Sequence, residues 1–188
     1  MEYILCVGDS LTFGARDEFN RCYPAELSRI YWEKQHRPVY CHNAGISDQN
    51  SSQLQKRILA QSRSCPQANI ALIVVGTNDT FLPQRPEIYQ DNLRQIVGVL
   101  KAHHLNVGVG LLPPVMGAGL PNYPRDAQKQ VDEFNRIIQE RAHADSLFVA
   151  DFRGLGEFII DTVHLNHAGY CRMAELWFDA IQASGAAL

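Results

Sequence analysis

No run in this chain approaches the roughly 18 apolar residues of a membrane span. There is no excess of basic charge either. The formal net charge of −3 gives no positive field to draw nucleic acid or an anionic membrane. Internal repeats, low-complexity tracts and interdomain linkers are missing. So are H-E-x-x-H, the P-loop and G-x-G-x-x-G, so no metal or nucleotide cofactor is expected. The five cysteines (Cys6, Cys22, Cys41, Cys65, Cys171) are odd in number and lack C-x-x-C spacing, which disfavours a disulfide framework or a zinc site. Free thiols are expected, and Cys6 and Cys41 sit in apolar runs where an inert buried thiol is the default. A secretory signal is also lacking: Glu2 follows Met1, the first apolar run is short, and Asp9 interrupts it. A cytoplasmic protein is the expectation.

What is present is the composition of a soluble globular protein. The 188 residues, 46% apolar and 20% charged, suit one domain over 1–188 with a sizeable core. Short apolar runs alternate with amphipathic stretches. Tyr3–Val7, Pro38–Asn43, Ile70–Val75, Asn106–Leu112 and Leu147–Ala150 read as strands. Ile70–Val75 is continuously apolar, as expected when both faces of a parallel sheet are covered. Gly108 and Gly110 blur the fourth strand. Helices are expected over about Tyr23–Gln35, Ser51–Arg63, Pro86–His103, Asp126–Arg141 and Asn166–Ser184. In the second of these, Leu54, Ile58 and Leu59 share a face; the third carries Ile88, Leu93, Ile96, Val97 and Leu100. Strand and helix thus alternate five times, which predicts an α/β fold: a five-stranded parallel sheet between two layers of helices.

Ligands bind such sheets at the carboxyl ends of the strands. After the first strand come Gly8, Asp9 and Ser10; after the second, Asn43, Ala44 and Gly45; after the third, Gly76, Thr77, Asn78 and Asp79. One segment beyond the fifth come Asp161 and His164. Taken alone, Ser10 reads more readily as a helix cap than as a nucleophile. The convergence of four strand ends reverses that reading. Ser10 becomes the nucleophile for an acyl group, His164 its base, and Asp161 the residue that orients His164. The oxyanion then needs fixed donors, which Ser10 N–H, Gly45 N–H and the Asn78 amide supply. Gly45 suits this role because it has no side chain to hold a substrate away. Asp9 and Asp79 read as braces for their turns. Of the seven histidines, only His164 has a motif context. Phe13, Arg16, Phe81, Leu82, Val115 and Met116 flank the same edge and are candidate pocket walls. Arg16 is a candidate for an anionic substrate group, or for pairing with Asp17 or Glu18.

These blocks resemble the GDSL-type, or SGNH, hydrolases. Gly8-Asp9-Ser10-Leu11-Thr12-Phe13-Gly14 is similar to the family's first block. Gly45 in Asn43-Ala44-Gly45 matches the second, and Gly76-Thr77-Asn78-Asp79 the third. Asp161-Thr162-Val163-His164-Leu165-Asn166 with Gly169 matches the last. The resemblance implies a flavodoxin-like α/β/α sandwich, an open active site, and hydrolysis of a small-molecule ester without metal or cofactor. It also implies that no G-x-S-x-G elbow is needed; Thr12 stands where its second glycine would be. A serine esterase for small or medium acyl groups is the leading expectation. Thioesters, lysophospholipids and acetylated sugars are alternatives within the family, and a non-catalytic binding module is the alternative outside it.

Overall fold

The chain is described by a computed structural model covering residues 1–82, 85–116 and 126–186. Five strands, β1 (Glu2–Gly8), β2 (Val39–Gly45), β3 (Ala68–Val74), β4 (Asn106–Leu111) and β5 (Phe148–Asp151), form one parallel sheet in the order β2-β1-β3-β4-β5. The helices are α1 (Ser10–Phe13), α2 (Tyr23–Gln35), α3 (Ser51–Ser64), α4 (Pro86–Ala102), α5 (Ala127–Asp145) and α6 (His167–Ser184). Alternate strand residues feed two cores. Leu5, Val7, Ala71, Ile73, Val107 and Val109 pack against α3, α4 and α5. Ile4, Cys6, Ile70, Leu72 and Val74 pack against α1, α2 and α6. A sheet buried on both faces needs side chains that are apolar at every position, and the continuous runs of β1 and β3 supply them. The expected three-layer α/β sandwich is the observed fold. Among the described residues, no helix is long and apolar enough to cross a membrane.

Several boundaries differ from the sequence reading, each for a local reason. β2 runs through Gly45, because Cys6, Val7 and Gly8 of β1 pair with Asn43, Ala44 and Gly45 in turn. Short 3-10 segments over Asn78–Phe81 and Arg153–Phe158 were not expected. Leu59 and Ile88 are exposed. The buried stripe of α3 runs through Ser51, Leu54, Ile58 and Ser62, and a residue adjacent to Ile58 turns about 100° away from it. Gly108 and Gly110 lie inside β4, as expected of the fourth strand. A Cβ on Gly108 would lie 2.2 Å from Phe148 Cε2, and one on Gly110 would lie 2.4 Å from Phe152 Cε2. The glycines leave room for these rings, which meet Trp177 edge-on.

The strand order reverses direction beside β1: the chain passes to β2 on one side and returns to β3 on the other. The carboxyl ends of β1 and β3 therefore flank the crevice that such sheets offer to ligands. The turn out of β1 is packed tightly there. A Cβ on Gly8 would fall 2.0 Å from the Val74 carbonyl oxygen. Asp9, fully buried, caps α1: its Oδ1 accepts from Leu11 N–H at 3.0 Å, and its carbonyl accepts from Thr12 and Phe13 N–H. Burial pushes the Asp9 carboxyl up to about 7; the Leu11 N–H pulls the other way, and the charge of Asp79 adds to the rise. Asp79 braces the neighbouring helix. It accepts from Ser51 N–H at 2.8 Å and from the Ser51 hydroxyl, and Asn92 donates to that same hydroxyl at 2.9 Å.

Two outcomes follow from this packing. Gly110→Ala should lower stability by about 1–3 kcal/mol through overpacking against Phe152, read as a lower urea midpoint with an unchanged slope. Asp9 should make stability depend on pH. Its native value of about 7 lies above an unfolded value of about 3.9, so the native state binds more protons between them. This contribution is complete below the unfolded value and is lost as pH rises through the native one. Asp9→Asn keeps the cap acceptor and removes the titration. The stability difference between variant and wild type should then grow in the variant's favour from about pH 5 to about pH 8. Equal differences at both would show that Asp9 titrates normally.

Candidate active site

Ser10 opens α1 directly after the Asp9 cap. The first N–H groups of a helix have no intrahelical partner. Leu11, Thr12 and Phe13 give theirs to Asp9. Gly14 ends the helix at φ 91° and donates to the Ser10 carbonyl at 2.9 Å. A side chain there would be strained in that conformation and would press on Cys22.

His164 and Asp161 arrive on the segment between β5 and α6. Ile159 and Leu165 form an isolated antiparallel bridge, and Ile160 N–H donates to the His164 carbonyl at 2.9 Å. Leu165 and Val163 are buried in opposite cores, so the segment is pinned on both sides of the sheet. Between these anchors the chain curls around one carboxylate. Asp161 Oδ1 accepts the backbone N–H of Thr162, of Val163 at 2.9 Å and of His164 at 2.9 Å. Its Oδ2 is left for His164 Nδ1, 2.8 Å away. Burial pushes the Asp161 carboxyl up, but the hydrogen bonds from the His164 and Val163 backbone, the His164 ring and the Thr162 backbone outweigh it. They hold the group well below the usual carboxylate range. An ionised Asp161 fixes the ring tautomer: Nδ1–H donates to Oδ2, and Nε2 is free to accept. Ser10 Oγ lies 2.9 Å from that Nε2. The three residues expected to meet from opposite ends of the chain stand in one hydrogen-bonded line.

The expected oxyanion donors are less uniform. Asn78 donates one amide hydrogen to the Gln49 carbonyl at 2.9 Å, which orients the side chain and leaves its second hydrogen available. The Gly45 N–H is already engaged: it donates to Asn43 Oδ1 at 2.9 Å. Asn43 is itself held from the other end, its amide donating to the Phe13 carbonyl and to Cys22 Sγ. The reason for glycine at 45 also differs from the expected one. A Cβ there would lie 2.3 Å from Phe13 N, so the missing side chain admits α1.

The candidate walls divide. Phe13, Leu82 and Met116 have exposed side chains, and Met116 N–H donates to the Thr162 carbonyl at 2.8 Å, beside Asp161 in the chain. Val115 is no wall: it is buried among the side chains facing α3, α4 and α5. Phe81 packs partly buried against the same core. Arg16 does not pair with Asp17 or Glu18, because both serve His167: Asp17 Oδ2 lies 3.2 Å from His167 Nδ1, and Glu18 accepts the His167 N–H at 3.1 Å. Arg16 instead places Nε 3.7 Å from Asp161 Oδ2 with its side chain 68% exposed. Ile46 and Ile160 are candidate neighbours of the site that the sequence did not single out. Both are exposed, and each adjoins a site residue, Gly45 and Asp161 respectively. An apolar side chain directly beside a polar motif was the available signal. Of the 113–124 loop, only 113–116 lie among the described residues.

Among the described residues, Glu26, His167 and Cys171 bring ligand atoms of metal-binding type within 4.8 Å of one another. The cluster is satisfied without a cation. Glu26 accepts from Arg29 at 2.6 Å and from Arg21 at 3.3 Å, and two guanidinium groups beside it oppose a further positive charge. None of its members belongs to the Ser10 line.

A family model described as the GDSL-like lipase/acylhydrolase family matches residues 6–172. No curated protein matches the sequence at a significant level. Solved structures share the fold at low identity. The lipase/acylhydrolase from Enterococcus faecalis is 22% identical, with a TM-score of 0.84 over 97% of this chain and 96% of its own. Est24, a carbohydrate acetylesterase from Sinorhizobium meliloti, is 17% identical, with a TM-score of 0.82 over 97% of this chain and 99% of its own. A catalytic mutant of Axe2, an acetylxylan esterase from Geobacillus stearothermophilus, is 18% identical, with a TM-score of 0.77 over 96% and 94%. The structures establish the sandwich, and the family match runs from β1 into α6. The chain belongs to the GDSL-like lipase/acylhydrolase family and is an ester hydrolase.

Proposed function

We propose that the protein is a serine esterase that forms an acyl-enzyme on Ser10. The observation that carries this reading is the unbroken line from Ser10 Oγ through His164 to Asp161, with separations of 2.9 and 2.8 Å. Ser10 Oγ attacks the ester carbonyl carbon while His164 Nε2 takes its proton. The carbonyl π electrons move onto oxygen, and the oxyanion is met by Ser10 N–H, the second amide hydrogen of Asn78, and Gly45 N–H once Asn43 releases it. The intermediate collapses, and the His164 imidazolium returns the proton to the leaving alcohol. Water then attacks the acyl-enzyme with His164 again as base, which releases the acid and restores Ser10. Asp161 holds the tautomer and stabilises the imidazolium throughout.

The rim supports a substrate with an apolar acyl group of small or medium size. Phe13, Ile46, Leu82 and Ile160 are exposed apolar residues within four positions of Ser10, Gly45, Asn78 or Asp161 in the chain, and the exposed Met116 is bonded to Thr162. A second reading, hydrolysis of acetyl groups from carbohydrate, draws support from two of the structural neighbours, which are described as acetylesterases of that kind. A panel of p-nitrophenyl esters from acetate to long acyl chains, with an acetylated sugar alongside, separates the two. The apolar-acyl reading expects kcat/KM to rise beyond acetate before it falls.

Ser10→Ala should abolish p-nitrophenyl ester hydrolysis and labelling by a fluorophosphonate probe, with an unchanged circular dichroism spectrum. Retained turnover would overturn the serine mechanism. Asn78→Ala should lower kcat about 10²–10³-fold, equivalent to about 2.7–4 kcal/mol, with little change in KM. A loss confined to KM would place Asn78 in ground-state binding instead.

A further inference from the structure

Beneath the site lies a cation without an acid. Arg57, on α3, is half-buried, and burial lowers its pKa. No carboxylate lies within ion-pair distance of it among the described residues. Its Nη1 is buried with no hydrogen-bond partner among them. Burying a guanidinium in this way is costly, and the hydrogen bonds it does make offset part of that cost.

Those bonds run to a small set of atoms. Arg57 Nη2 donates to the Gly8 carbonyl at 3.1 Å, and Nε donates to Gln49 Oε1 at 2.6 Å. The Gly8 carbonyl also accepts the Ile46 N–H at 3.1 Å. Gly8 lies two residues before Ser10, and Ile46 directly follows Gly45. Gln49 carries the carbonyl that orients Asn78, at 2.9 Å. One planar fork therefore spans the end of β1, the turn after β2 and the backbone that aims the Asn78 amide. Each proposed oxyanion donor sits within two residues of, or is bonded to, a segment that Arg57 holds.

We infer that Arg57 is a positioning residue for the oxyanion donors, acting through Gly8 and Gln49 to set Ser10, Gly45 and Asn78 at fixed separations. The inference rests on the serine-esterase reading. It assigns Arg57 no contact with substrate. The rigid fork matters as well as the charge. A lysine ammonium is a single compact centre on a flexible stem and does not reproduce two directed bonds in one plane.

The test is a double-mutant cycle on the full chain with a p-nitrophenyl ester. Arg57→Gln should lower kcat by about 10²-fold, the scale expected of a misplaced site, with KM nearly unchanged. Arg57→Lys should recover only part of that loss. In an Asn78→Ala background, Arg57→Gln should cost much less than it does alone, because part of its effect passes through Asn78. A residue that only stabilises the fold would lower the melting temperature and multiply its loss onto that of Asn78→Ala. Should Arg57→Gln not fold, Gln49→Met cuts the same link from a half-exposed position and is expected to give the same split between kcat and KM. Wild-type kcat in the folded Arg57→Gln protein, or fully multiplicative losses, would overturn the inference. Ser10→Ala in the same assay reports on the serine reading separately, since its retained activity would remove that reading whatever Arg57 does.

Discussion

Two glycines facing each other at the ends of neighbouring strands set the geometry on which the site depends. Gly8 and Gly45 are partners in the parallel register of β1 and β2. Neither has room for a side chain: one is closed off by the Val74 carbonyl and Thr12, the other by the backbone of α1. The four-residue helix α1 can therefore lie almost against the sheet. Its first residue is Ser10. Were α1 held further off, the Ser10 hydroxyl would move away from a histidine that is anchored independently, on the segment after β5. Main-chain contact between close-packed elements tolerates little displacement, so Ser10 inherits the rigidity of the sheet.

Asp161 divides its labour between two oxygens. Oδ1 builds the turn and Oδ2 holds the imidazole. The same charge that orders the backbone also orders the ring, so the turn and the tautomer form together or not at all. Asp9, which precedes Ser10 in the chain, has a different part. It is buried beyond reach of the histidine line and serves the cap of α1, with Asp79 nearby bracing α3. Three carboxylates at one edge thus have three environments, and only the partly exposed one meets His164.

Much of this was legible in the chain. The strands announced themselves because a sheet covered on both faces needs continuous apolar runs, and Ile70–Val75 has one. Ser10, Asp161 and His164 were legible because their blocks fall at strand ends. What could not be read depends on which distant segments meet. Arg16 turns to Asp161 because His167, far along the chain, occupies Asp17 and Glu18. Val115 looks like rim in sequence and is core in space, while its neighbour Met116 is exposed. Why the fourth strand carries Gly108 and Gly110 could not be read, because the aromatic rings that need their space lie on β5 and just after it. Leu59 and Ile88 show the finer limit: one residue of helical phase decides inside from outside.

The bond between Gly45 N–H and Asn43 Oδ1 has a consequence for selectivity in time. A neutral ester carbonyl is a weaker acceptor than the amide oxygen already in place, so it gains nothing by displacing it. An alkoxide is a far stronger acceptor, roughly twice as strong in such bonds. For the proposed reaction, the third donor would stay shut against the arriving substrate and open to the tetrahedral species alone. Asn43 would then act as an internal competitor that withholds binding energy until charge has developed, which is the interval in which binding energy accelerates chemistry.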